Sequence, residues 1–184
     1  MKKFLAEISS IHNGYSLRSP KTEYVNPNII WILPEHISAQ QFPLSPKIEV
    51  KLAKNITKLQ EGDVLLTNRG YFKAALFTGA SHPALASSGV WIIRPKQEYL
   101  NPAFLTCWLN SFYGQKALQG LWSSFTTIKF IRKEDIEKLE IPLPGLEKQK
   151  ILGSIYNCLV KQRILQEYNL NLKQQLLESA MGNL

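Results

Sequence analysis

The chain changes character at a proline-rich segment, and that change constrains its fold more than any other feature. Ile141-Pro142-Leu143-Pro144-Gly145 is extended and breaks any helix, because proline fixes φ and lacks an N–H. Immediately afterwards, from Leu146 to Ala180, there is no proline and the only glycine is Gly153. Ile151, Ile155, Cys158, Leu165, Leu172 and Leu176 fall on one heptad seam, with Gln162 and Asn169 in the two positions between. The pattern predicts one helix of roughly 50 Å at about 1.5 Å per residue. Such a helix is longer than a lone globular head can cover, so its apolar stripe requires a partner helix. Buried Gln162 and Asn169 would cost stability but fix register. The alternative is a helix folded back on its own head.

The preceding residues read as short strands and loops around one helix. Asn28 to Leu33 is a compact apolar strand ended by Pro34. Lys47 to Leu52 alternates charged and apolar, as a half-buried strand with Lys47 and Lys51 outward. Gly62-Asp63 turns into a strand over Val64 to Thr67, and Asn68-Arg69-Gly70-Tyr71 forms a tight turn. Ala74 to Thr78 and Val90 to Ile93 are further strands. Asn101-Pro102 has the form of an N-cap followed by proline at the first helical position. The helix it opens carries Phe104, Leu105, Trp108, Leu109 and Phe112, and should reach about Leu118 with Gly120 beyond its end. A polar loop at Ser123 to Thr127 leads into a strand over Ile128 to Ile131, and Lys133 to Leu139 forms a short helical turn. The fold class is therefore α+β: a β-rich globular head, residues 1–143, followed by a coiled-coil helix, residues 144–184.

Charge favours a polyanionic partner. The 184 residues carry 22 Lys and Arg against 14 Asp and Glu, for a net charge of +8. Between residues 47 and 96 stand Lys47, Lys51, Lys54, Lys58, Arg69, Lys73, Arg94 and Lys96, against Glu49, Glu61 and Asp63. Such a basic field attracts nucleic acid; the alternative is a solvated basic face with no partner. The apolar share of 45% is that of a globular chain. No stretch approaches the ~20 apolar residues of a membrane span, and Glu7 interrupts the apolar run after Lys2 and Lys3, so the chain reads as cytoplasmic.

Catalytic chemistry is hard to assemble from these residues. Cys107 and Cys158 form no CxxC pair and read as small buried thiols. His12, His36 and His82 are scattered in expected loops, so no metal site is expected. Glu134, Asp135, Glu137 and Glu140 sit together, but on a short turn facing solvent. Asn101-Pro102-Ala103-Phe104 resembles the NPPF-type motif of amino-methyltransferases, yet Ala103 replaces a proline and no glycine-rich loop precedes it as a cofactor cradle. A helix start explains the same four residues. No enzyme activity and no cofactor are expected of this chain.

At the proline segment the sequence becomes recognisable. Ile141 to Gln149, reading IPLPGLEKQ, resembles the "iPlPpleeQ" stretch of the specificity subunits of type I restriction–modification systems. Gly62 to Thr67 with Gly70 resembles the family's "GDiLlt…G" segment. Leu100 to Gln115 resembles its recognition-domain helix, Ser124 to Ile131 a following strand, and Leu176-Leu177 its helix end. Gly145 stands where a proline is usual. Family members typically carry two recognition domains and two spacer helices, whereas this chain has one of each. It would be a half-subunit, a fragment, or a member that works as a homodimer.

The resemblance implies a non-catalytic, sequence-specific DNA-binding subunit. It would direct methyltransferase subunits, and through them the restriction subunit, to a bipartite target. Two copies pairing their helices antiparallel would generate a two-fold axis and an inverted-repeat site. The pairing residues would be Ile151, Ile155, Leu165, Asn169, Leu172 and Leu176. Lys54, Lys58, Lys73, Lys96, Lys129, Arg132 and Lys133 are the expected phosphate contacts. Asn68, Arg69 and Tyr71 are expected to read bases, since Arg matches guanine and Asn adenine in bidentate fashion; Ser124, Thr126 and Thr127 are further groove-edge residues. Trp31, Trp91, Trp108 and Trp122 are expected in the core. A different class of reading is a coiled-coil protein-interaction adaptor with a basic head. An orphan methyltransferase using Asn101 to Phe104 is a third.

Overall fold

The structure is a computed structural model that describes residues 1–16, 24–43, 48–52, 56–121 and 130–182, with backbone alone for 24–28 and 48–52. Its α+β class is the one expected. In chain order the head contains β1 (Lys2–Phe4), α1 (Leu5–Ile8), β2 (Ser9–Asn13), β3 (Tyr24–Ile32), α2 (Pro34–Ala39) and β4 (Ile48–Leu52). There follow β5 (Val64–Thr67), β6 (Ala74–Leu76), β7 (Ala84–Ala86) and β8 (Val90–Pro95). The helical part comprises α3 (Pro102–Asn110), α4 (Phe112–Gly120) and α5 (Lys133–Glu137), then β9 (Glu140–Pro142) and the arm α6 (Leu146–Gly182).

The central sheet has the order β2-β8-β5-β6, with antiparallel neighbours throughout. Its two faces serve two cores. Trp91 and Ile93 of β8, with Val64 and Leu66 of β5, pack under Leu5, Ile8, Phe104, Leu105 and Leu109. Val90, Ile92, Leu65 and Ala75 point the other way, against Ile30, Ile32, Ile37 and Ala84. Both faces are covered, which is why β5 reads as a continuous apolar run rather than an alternation. The second sheet, β4-β3-β7, closes that side, with β3 antiparallel to β4 and parallel to β7. β1 pairs antiparallel with β9, so the chain's first strand is fastened to the proline segment.

Several sequence expectations need correction. The helix opened by Asn101 and Pro102 starts as expected, with the Asn101 side chain accepting from the Phe104 N–H at 3.0 Å. It does not run on to Leu118. Ser111 takes an extended conformation (φ −73°, ψ 163°) and its hydroxyl accepts from the Gly114 N–H, opening a second helix. An N-capping serine in mid-pattern outweighs the apolar periodicity there, and Gly120 is the last residue of α4 rather than lying beyond it. Cys107 is half-buried and Cys158 is exposed on the arm, so neither is a buried core thiol. His12 lies in β2 and His36 in α2, not in loops. Trp31 and Trp91 are buried and Trp108 half-buried; Trp122 lies outside the described residues. The elements β1, α1, β2, α2 and β7 have no counterpart among the sequence expectations.

The arm is one helix of 37 residues. Its first turns are bound to α3. Gln149 is 1% exposed; its Oε1 accepts from the Asn101 N–H at 2.9 Å, and its Nε2 donates to the carbonyls of Tyr99 (3.1 Å) and Pro144 (2.9 Å). Gly153 lies so close to the start of α3 that a Cβ there would come within 2.8 Å of the Ala103 Cβ. Glycine is required for this crossing because any side chain would push the helices apart.

Candidate nucleic-acid interface

The hairpin between β5 and β6 is built to hold its tip rigidly. The Thr67 hydroxyl donates to the Tyr71 carbonyl at 2.7 Å and accepts from the Lys73 N–H at 2.8 Å, while the Thr67 N–H donates to the Lys73 carbonyl at 2.9 Å. Gly70 supplies the positive φ of +72° that closes the turn. Held this way, Arg69, Tyr71 and Lys73 all face solvent, and Tyr71 is 86% exposed.

Phe130 bridges antiparallel to Arg69, and the Arg69 guanidinium stands 5.5 Å from the centre of the Phe130 ring. Ile131 donates its N–H to the Asn68 carbonyl at 3.3 Å. The exposed side chains of Arg132 and Lys133 follow directly. Lys133 lies 3.7 Å from Glu137 in an exposed pair, which contributes little and leaves the ammonium available. The result is a cationic and aromatic surface of Arg69, Tyr71, Lys73, Phe130, Arg132 and Lys133 at one end of the central sheet.

Other expected contacts fall elsewhere. Asn68 is 4% exposed; its Nδ2 donates to the Ser88 carbonyl at 2.9 Å and its N–H to the Gly89 carbonyl at 3.0 Å. It ties the hairpin to the β7–β8 turn instead of displaying an amide, and its Oδ1 has no partner among the described residues. Thr67 pairs with Val90 at the hairpin end of β8, whereas Lys96 follows the opposite end and the Lys58 carbonyl accepts from Arg94 there. Lys58 and Lys96 are exposed but remote from the hairpin tip, and the Lys96 ammonium donates to the Glu7 carbonyl at 2.9 Å. Lys54, Ser124, Thr126, Thr127 and Lys129 lie outside the described residues, as does Lys47.

Arg94 counts towards the basic span but is already engaged. Its Nε and Nη2 meet Asp63 Oδ1 and Oδ2 at 2.7 and 2.9 Å, and Asp63 is fully buried. The hydrogen bond to Asp63 raises the Arg94 pKa. Burial, followed by the charges of Arg94 and Lys133, lowers that of His12. Neither Asp63 nor Phe130 stood out in the sequence: the first resembles an ordinary turn residue, the second one apolar position of a strand. Gln149 did carry a signal, as the closing residue of the IPLPGLEKQ stretch, without a role attached.

The seam residues of α6 are open. Ile151, Ile155, Leu165, Leu172 and Leu176 are 60, 54, 61, 40 and 69% exposed, and Asn169 is exposed as well. At about 100° per residue they lie on the side opposite the Gln149–Gly153 stripe that meets α3. The helix does not fold its apolar seam back on the head. Among the described residues, no helix is long and apolar enough to cross a membrane, and no group of three or more His, Cys, Asp or Glu could hold a metal ion.

The family model described as the type I restriction modification DNA specificity domain matches residues 1–174. No curated protein matches the chain. Among solved structures, the HsdS subunit from Thermoanaerobacter tengcongensis is similar, with TM-score 0.61, 20% identity, and coverage of 98% of this chain and 44% of that one. A structure described as showing complex assembly and conformational transition of the type I R-M system gives TM-score 0.65, 21% identity and coverage of 98% and 44%. The S subunit of a type I restriction–modification system from M. genitalium gives TM-score 0.53, 16% identity and coverage of 95% and 41%. At these identities the likeness is one of fold, and the chain spans less than half the length of each of these proteins. The family match over most of the chain is decisive: this protein belongs to the type I restriction–modification DNA specificity family.

Proposed function

We propose that this chain is a non-catalytic DNA-reading unit of a type I restriction–modification enzyme, with residues 1–143 as the recognition domain and residues 144–184 as its spacer. The observation that carries the reading is the rigid β5–β6 tip, with Arg69, Tyr71 and Lys73 exposed beside Phe130, Arg132 and Lys133. Lys73, Arg132 and Lys133 would neutralise phosphates, while Arg69 and Tyr71 would meet base edges. The open seam of α6 supports pairing with a second copy, antiparallel, so that two heads stand apart along one duplex. Methyltransferase subunits would supply the chemistry, recruit the restriction subunit, and place the assembly in the cytoplasm with the DNA.

Selection from a random duplex pool, with the chain mixed with a methyltransferase subunit of its family, tests this reading. The expected product is a split, inverted-repeat sequence with a fixed gap. Recovery of unenriched DNA would sink the proposal.

A further inference from the structure

We propose that Tyr156 is the positioning residue that sets the direction of the arm on the head, and with it the gap between half-sites; the second clause rests on the function proposed above. The Tyr156 hydroxyl accepts from Gln40 Nε2 at 2.8 Å and from Asn110 Nδ2 at 2.7 Å. These partners come from different parts of the head. Gln40 caps the end of α2, against β6 of the central sheet, and Asn110 ends α3.

Asn110 also accepts from the Ala74 N–H (3.0 Å) and donates to the Ala74 carbonyl (2.7 Å), as a neighbouring strand would. Ala74 begins β6, directly after Lys73 of the hairpin. The joint therefore connects the arm to the strand that carries the proposed reading tip.

Gln40 has a φ of 56° and is the only non-glycine with positive φ among the described residues. A left-handed glutamine is uncommon and mildly strained. Here it caps α2 through its N–H and sends its amide to both Ala74 and Tyr156.

Gln149, Gly153 and Tyr156 lie on one side of the helix, about 10 Å from first to last. Tyr156 is the last hydrogen-bonded contact between arm and head among the described residues. Beyond it, Val160 and Ile164 border an open cleft of about 270 Å³ shared with Phe42 and Thr78. Some 39 Å of helix then extends past the joint, at about 1.5 Å per residue. A tilt of about 5° at Tyr156 would displace the far end by about 3 Å, roughly one base-pair rise. Small errors at this hydroxyl therefore become spacing errors on DNA.

The test uses Tyr156→Phe, which removes the hydroxyl and keeps the ring, and Gln40→Gly, which keeps the backbone conformation and removes the amide. Tyr168→Phe, on the exposed arm, is the control. Spin labels at Glu98→Cys and Lys173→Cys, on a Cys107→Ala and Cys158→Ser background diluted with unlabelled chain, report the head-to-arm distance by pulsed electron resonance. Both test variants should retain parental helicity and broaden the distance distribution about twofold, with the control unchanged. In the duplex selection they should keep the half-site sequences but spread the gap by one or more base pairs. A distribution as narrow as the parent's in both variants overturns the proposal. If the distribution broadens but even the parent selects no DNA, the joint stands and the DNA-reading function falls. If the parent selects a split site and both variants leave width and gap unaltered, the function stands and the joint falls.

Discussion

The Arg94 guanidinium grips the buried Asp63 carboxylate with two hydrogen bonds, of 2.7 and 2.9 Å, where β5 begins and the antiparallel β8 ends. Asp63 Oδ2 also accepts from the Gln60 N–H at 2.8 Å, and Arg94 reaches the Lys58 carbonyl at 3.1 Å. The pair fixes the turn before β5 to the end of β8. Asp63→Ala would leave the arginine and the Gln60 N–H without their acceptor. The expected loss is about 3 kcal/mol, as for a buried pair that keeps one member. Urea denaturation measures it; a loss below about 1 kcal/mol would show that solvent screens the pair.

Asn68 and Arg69 are sequence neighbours with opposite exposure, and their variants should separate accordingly. Asn68→Ala removes the donor to Ser88 and loosens the base of the hairpin. It should cost about 1–3 kcal/mol of stability. Arg69→Ala removes an exposed side chain and should change stability by less than about 0.5 kcal/mol. The urea midpoints of the two variants decide the point, and equal losses would contradict the assigned placement.

His12 gives the fold a pH dependence of definite sign. Burial first, then Arg94 and Lys133, hold its pKa below the ordinary 6.5. The folded state therefore binds this proton less readily than the unfolded chain. The contribution of neutral His12 is complete above about pH 6.5 and is lost as the pH falls through the lowered folded value. Urea midpoints between about pH 5 and 7 should decline less steeply in His12→Gln than in the parent. An identical pH profile in the two proteins would refute this. Phosphate bound at Lys133 would offset part of the positive field, so the imidazole titration followed by NMR should move upward when duplex is added.

The strong local patterns were legible in the sequence. The apolar run of β5, the glycine turn at 70, the Asn101–Pro102 helix start and the uninterrupted arm each declare themselves through short-range chemistry. What escaped depends on long-range partners. β1 is three residues, two of them lysines, with no strand pattern of its own, and it becomes a strand only because β9 lies beside it. β7 is only a leucine between two alanines, paired with β3. The site was half legible: Arg69, Tyr71 and Lys73 follow from the turn, whereas the burial of Asn68 requires the β7–β8 turn to pass over it. Tyr156 carries no sequence signal of its own, and its hydroxyl gains significance only when Gln40 and Asn110 converge on it from distant parts of the chain.

The free face of α6 predicts association. In a pair that covers the seam, Leu165→Lys or Leu172→Lys would bury an unpaired charge and return the chain to a monomer. Sedimentation velocity reads this directly. Cys158 offers a second view, because the exposed thiol lies on the same seam while burial raises the pKa of Cys107. Alkylation at Cys158 should outpace that at Cys107 in dilute protein and slow as concentration rises. A Cys158 rate independent of concentration would argue against pairing through this face.

The most direct test of the proposed DNA-reading surface is the salt dependence of duplex binding by the parent chain and by Arg132→Ala and Lys133→Ala, each mixed with a methyltransferase subunit of the family. Phosphate contact predicts a steep linear fall of log affinity with log salt, and a slope shallower by about one in each variant. Slopes identical to the parent's in both variants, or binding indifferent to salt, would contradict the account.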